Sequence, residues 1–334
     1  MKNAYSSDRR IAIAALLGAL GLACGLLVTT SAALAQATYP TKPIKLVVGF
    51  APGGGSDFIA RLVSVRLQEK LGQPMIVDNK PGAGGNLGAE LAIRAPADGY
   101  TLFLAAASYT VNPALYKLPF DSVKDMTPIA QLARGPFIVA VNPKLDVKTL
   151  KDLVEYAKKN PGKLSYATSG AGSITHMVSE YFMDTAGADV VHIPYKGTSP
   201  ALTDTISGQT QIVFGTPAST IPFVKGGQLR ALAVTSEKRL SALPDVPTVI
   251  ESGYPQFAVY NWHGIIGPKG IPKDIVAKLN TAINEVIGGT GMDTNLASDG
   301  LTAAPGSPEA FGALIDAEAK RWGDLVKTKG IKLN

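Results

Sequence analysis

Few residues of this 334-residue chain have the types and spacing that chemistry needs, and the most suggestive are small ones. The stretch VVGFAPGGGSDFIARLV, from Val47 to Val63, runs from an apolar strand pattern through three glycines into a helical pattern. A helix N-terminus presents unpartnered backbone N–H groups and a partial positive charge, so such a loop can hold an anion without a basic side chain. Glycines that merely permit tight packing are the plain alternative. A second stretch, KLSYATSGAGSITHMVSEYF from Lys163 to Phe182, repeats the order of strand, small residues and helix. Ser56 and Ser173 stand just before the two helical patterns and are placed as N-caps. Two such loops facing one another across a cleft would clasp both ends of a dianion.

Other chemistries fail on inspection. APGGGSD lacks the lysine that closes a Walker loop, and PGAGGNLG (Pro81 to Gly88) has Leu87 where the dinucleotide fingerprint wants glycine or alanine. The three histidines, His176, His192 and His263, are too widely spaced for a metal motif, so no metal and no cofactor is expected. GTSPA, at Gly197 to Ala201, stops short of a nucleophile elbow, and no local acid/base pair stands out. An enzyme is not expected. The net charge of +6 comes without a Lys/Arg run, which argues against nucleic acid.

The elements that must position the loops follow from the pattern. Residues 1–35 read as a signal peptide: Lys2, Arg9 and Arg10 precede the apolar run Ile11 to Val28, and Ala33-Leu34-Ala35 suits cleavage near Gln36. The single cysteine, Cys24, would leave with it, so the exported chain must rely on its hydrophobic cores. From Pro43 onward, short Val/Ile/Leu-rich strands alternate with helical patterns, implying an α/β fold with parallel sheets covered on both faces. In open sheets of this kind ligands sit at the carboxyl ends of the strands, where both loops fall.

Several blocks then carry a family resemblance along nearly the whole mature chain. YPTKPIKLVVGFAPGGGSDFIARLV, NKPGAGGNLGAE, DGYTLFLA, IPYKGTSPALTDTISGQ, LRALAVTSEKRLSALPDVPTVIESG and NWHGIIGPKGIP resemble the Bug family, the extracytoplasmic receptors of tripartite tricarboxylate transporters. The resemblance implies a type II periplasmic-binding-protein fold, a Venus flytrap of two doubly wound α/β domains joined by a two-crossing hinge. Residues 39–136 plus 260–334 would form the first domain and 137–259 the second, with the last helix packing across both. It further implies a monomeric receptor that closes on a small carboxylate and delivers it to membrane permease subunits, or a sensor signalling to a histidine kinase.

Site residues are implied by the same resemblance. Phe50, Gly54, Gly55 and Ser56 would hold one carboxylate, and Ser169, Gly170, Ala171 and Ser173 the other. Ser108 and Asn112 would add hydroxyl and amide contacts, His176 would face the cleft, and Tyr195 would line its wall or support the hinge. Two departures point to the ligand. Gly215-Thr216 replaces the acidic residue and asparagine common in relatives, with Thr216 left to line the site, and His263 replaces an aromatic. His263 could bond a carboxylate or stack on a ring, titrating near neutrality. Together these suggest a dicarboxylate, aromatic ones such as terephthalate included.

Overall fold

The computed structural model describes residues 39–53, 55–298 and 300–333. The signal-peptide reading and Gly54 lie outside the described residues. Eleven strands among the described residues form two sheets. The first sheet contains β1 (Ile44–Val48), β2 (Met75–Asn79), β3 (Thr101–Ala106), β4 (Met126–Pro136), β10 (Tyr260–Pro268) and β11 (Thr302–Ala303), in the order β11-β4-β10-β3-β1-β2. The second contains β5 (Ile138–Val141), β6 (Ser165–Thr168), β7 (Val191–Pro194), β8 (Ile212–Gly215) and β9 (Arg230–Val234), in the order β7-β6-β8-β5-β9.

Both sheets are mixed rather than wholly parallel. β1 pairs parallel with β2 and β3, and β6 pairs parallel with β7 and β8, as continuous apolar strands lead one to expect. The strands on either side of the two crossings break the rule. β10 runs antiparallel to β3 and β4, and β5 runs antiparallel to β8 and β9. β4 passes through Phe137 directly into β5, so one continuous extended segment serves both sheets. β4 itself escapes a reading from pattern, because Gln131, Arg134 and Gly135 interrupt its apolar run.

The helices are α1 (Gly55–Leu71), α2 (Asn86–Ile93), α3 (Ser108–Leu115), α4 (Leu150–Lys159), α5 (Ile174–Ala186), α6 (Thr198–Ser207), α7 (Pro217–Lys225), α8 (Lys273–Ile287), α9 (Met292–Ser298) and α10 (Pro308–Lys329). α10 touches two cores. Its first half sets Phe311 and Ile315 beside Trp262 and Phe103, and its second half sets Trp322, Leu325 and Val326 beside Phe137, Phe182 and Phe257. Between the halves, Glu318 is buried at 3% exposure and accepts a hydrogen bond from Trp262 Nε1 at 2.7 Å. The same carboxylate accepts from Thr110 Oγ1 at 3.3 Å, which ties α10 to α3 and β10.

Candidate functional site

The first glycine loop is built on close backbone approach. A Cβ on Gly49 would fall 2.7 Å from Gly85 Cα, and one on Gly88 3.0 Å from Gly49 Cα. These two glycines therefore serve packing of the β1–α1 loop against Gly85 and the first turn of α2. Asp57 braces the loop from behind. Its carboxylate accepts from Gly53 N–H at 2.9 Å, Asn79 Nδ2 at 3.0 Å and Arg61 Nε at 2.9 Å, while Asn79 Nδ2 also donates to the Phe50 carbonyl at 3.0 Å. The Arg61 hydrogen bond leads the causes that bring the Asp57 pKa down to about 2, so the brace stays ionised at neutral pH.

The second loop has a more open edge. Ser173 caps α5, its Oγ accepting from His176 N–H at 3.2 Å. Gly170 takes φ +141°, a conformation that suits glycine, and the Ser169 hydroxyl pairs with Thr175 Oγ1 at 2.9 Å. Among the described residues, the N–H groups of Ala171 and Ile174 have no partner, and both residues line the cleft.

The two loops border one cleft of about 820 Å³. Phe50, Gly55, Ser56, Ser108, Asn112, Ser169, Gly170, Ala171, Ser173, Thr216 and His263 all line it. No Asp, Glu, Lys or Arg is among the described residues that line it, so the fixed charge those residues bring comes from helix dipoles and oriented amides. A third helix start faces it as well. Thr216 precedes Pro217 at the start of α7, and its Oγ1 lies 3.0 Å from Ser219 Oγ. Pro217 and Ser219, together with Phe58, Tyr116 and Asn261, line the cleft without having been singled out in the sequence. Proline at the first position of α7 was the available signal for the third start.

Several expectations need correction. Ser56 is not the cap of α1 but its second residue, and its Oγ pairs with His263 Nε2 at 3.2 Å. His176 does not line the cleft: it is 6% exposed, its Nδ1 accepts from Gly172 N–H at 3.0 Å, and its ring stacks on His192 at 3.8 Å. It supports the loop from within. Tyr195 is also absent from the lining, its hydroxyl donating to Asp204 at 2.7 Å. Asn112 reaches the cleft, yet its Nδ2 donates to the Gly84 carbonyl at 3.0 Å and to Asn86 Oδ1 at 2.8 Å, so the amide braces the glycine loop. His263 does not titrate near neutrality, because burial brings its pKa down to about 4. The glycine at 215 has a local reason, since a Cβ there would overlap the Thr220 hydroxyl.

With this geometry in view, the family model described as "Tripartite tricarboxylate transporter family receptor" matches residues 59–331. The chain belongs to that family. Among solved relatives it is similar to the periplasmic binding protein BugD, at 34% identity and TM-score 0.72, covering 89% of this chain and 100% of that one. It is similar to Rpa4515 of R. palustris, solved with adipate, at 34% identity and TM-score 0.75 over 88% of this chain and all of the relative. It is also similar to MatC of Rhodopseudomonas palustris, solved with bound malate, at 31% identity and TM-score 0.72 over 86% of this chain and all of the relative. As a member of that family the chain is an α/β solute-binding protein of two domains, not an enzyme.

Proposed function

We propose that this receptor works in the periplasm, closes on a small organic dicarboxylate and hands it to the permease subunits of a tripartite tricarboxylate transporter. One observation carries the reading. Loops at the starts of α1 and α5, belonging to different sheets, border one cleft, and the described residues that line it include no Asp, Glu, Lys or Arg. A dianion there meets backbone and hydroxyl donors at either end and no like charge among the described residues. Each charge-assisted hydrogen bond contributes about 1.5–3 kcal/mol. Closure excludes water and strengthens them, and it needs a ligand that binds the closed form better than the open one.

The aromatic walls favour a second, finer reading. Phe50, Phe58 and Tyr116 all line the cleft, so a flat aromatic diacid such as terephthalate fits the lining as well as an aliphatic one. Calorimetry with malate, adipate, citrate and terephthalate tests both levels. Binding of at least one diacid, with no binding of its diamide, is the expected outcome. A panel in which every di- and tricarboxylate fails, or a natural ligand that proves uncharged, would overturn the assignment.

A further inference from the structure

His263 sits in β10 beside Trp262, whose carbonyl accepts from Ala107 N–H at 3.0 Å and whose indole is held by Glu318. The His263 backbone is paired on both sides, with β3 and β4, and the residue is 4% exposed. Nε2 lies 3.2 Å from Ser56 Oγ, and Nδ1 is buried with no partner among the described residues. A neutral imidazole carries one ring hydrogen, which leaves two arrangements.

In the first, the Ser56 hydroxyl donates to Nε2. The ring hydrogen then sits on Nδ1 as a buried N–H with no acceptor, and Ser56 shows only lone pairs to the cleft. In the second, Nε2–H donates to Ser56 Oγ and Nδ1 keeps a bare lone pair. Orphaned buried N–H groups are the rarer defect and under-satisfied acceptors the better tolerated. The second arrangement also frees the Ser56 hydrogen, and no other partner for Ser56 Oγ is present among the described residues. Ser56 is half-buried and lines the cleft, so that hydrogen has only cleft contents to bond.

We infer that His263 is a positioning residue that occupies one lone pair of Ser56 Oγ and leaves its hydroxyl hydrogen for the cleft, so that this end of the cleft favours a carboxylate oxygen, the stronger acceptor, over a carboxamide. This rests on the carboxylate-receptor reading above and adds the means by which one acid terminus is told from its amide.

The test has two arms. In the first, histidine-¹⁵N NMR of the ligand-free protein at pH 7 is recorded, with His263→Phe assigning the signal among the three histidines. The hydrogen is expected on Nε2, and a hydrogen on Nδ1 overturns the inference. In the second, calorimetry with adipate and its monoamide compares wild type, His263→Phe, Ser56→Ala and the double variant. His263→Phe should weaken adipate binding about tenfold and narrow the preference for adipate over the monoamide. In the Ser56→Ala background the same change should alter affinity by less than about twofold. Equal losses in both backgrounds would overturn the coupling. Where adipate does not bind wild type, the panel diacid that does is used with its monoamide; failure of the whole panel would count against the receptor reading, while the tautomer result, read without ligand, would still decide the role of His263.

Discussion

The hydroxyl of Thr235 donates to the carbonyl of Val259 at 2.6 Å. The same oxygen accepts from Phe137 N–H at 2.8 Å, and the Thr235 backbone adds bonds to the Phe137 carbonyl at 2.9 Å and from Val259 N–H at 3.0 Å. Phe137 and Val259 are where the chain passes between the two sheets, so one fully buried threonine ties both crossings together. Thr235→Val keeps the shape and removes the hydroxyl, leaving a buried donor and a buried acceptor unpaired. Stability should fall by about 2–3 kcal/mol, read as a lower urea midpoint at unchanged slope.

Ala171 tests the second loop more cleanly than its neighbour Gly170, whose φ of +141° would strain any side chain. Ala171→Asp sets a carboxylate beside the unpartnered N–H groups that the ligand would use. Like charges at contact distance cost about 1–4 kcal/mol, so diacid affinity should drop roughly tenfold to several hundredfold while the melting temperature without ligand stays near wild type. Undiminished thermal stabilisation by a bound diacid would remove this loop from the site.

Acid should weaken the fold before the carboxylates titrate. Burial brings the pKa of His263 down from 6.5 to about 4, and burial followed by the charge of His176 does the same for His192. The unfolded chain therefore binds more protons between pH 6.5 and pH 4, and stability present above that window is lost as pH falls through it. His263 should account for about 1.5 kcal/mol between pH 6.5 and pH 5, and the half-buried His192 for less. Urea unfolding across this range checks it, and His263→Phe should flatten the slope.

Glu318 works in the opposite sense. Desolvation raises its pKa even though Trp262 and Thr110 both donate to it. An acid raised in the folded state makes ionisation costly as pH rises through the folded value. Glu318→Gln keeps an acceptor for Trp262 without the charge and should be neutral to stabilising at pH 7, whereas Glu318→Ala should be destabilising by about 1–3 kcal/mol through the unpaired indole N–H. Denaturation of both variants at pH 7 and pH 5 separates charge from hydrogen bonding.

Much of the site was legible because its parts are local. Glycine runs between a strand pattern and a helix pattern fix where a helix starts, and a helix start fixes where N–H groups lie open. That is why Ser173 is the cap its position implies, and why the loops at 50–56 and 169–173 border the same cleft. The blocks of resemblance carried the fold for the same reason, each being a strand or helix boundary.

Side-chain direction was not legible, because it depends on neighbours brought from far along the chain. His176 follows its cap by one turn and reads as a cleft residue, yet the ring of His192 and the N–H of Gly172 draw it inward. Ser56 reads as a cap until the fold makes it the second residue of α1 and sets His263, 207 residues away, against its Oγ. Asn112 reads as a ligand amide until the glycine loop occupies both its hydrogens. The sequence alone determined where backbone donors would be exposed, since that needs only local geometry. Which polar side chains remain free to face a ligand was decided by the tertiary structure, since most buried polar groups find a partner and only the assembled fold supplies the candidates.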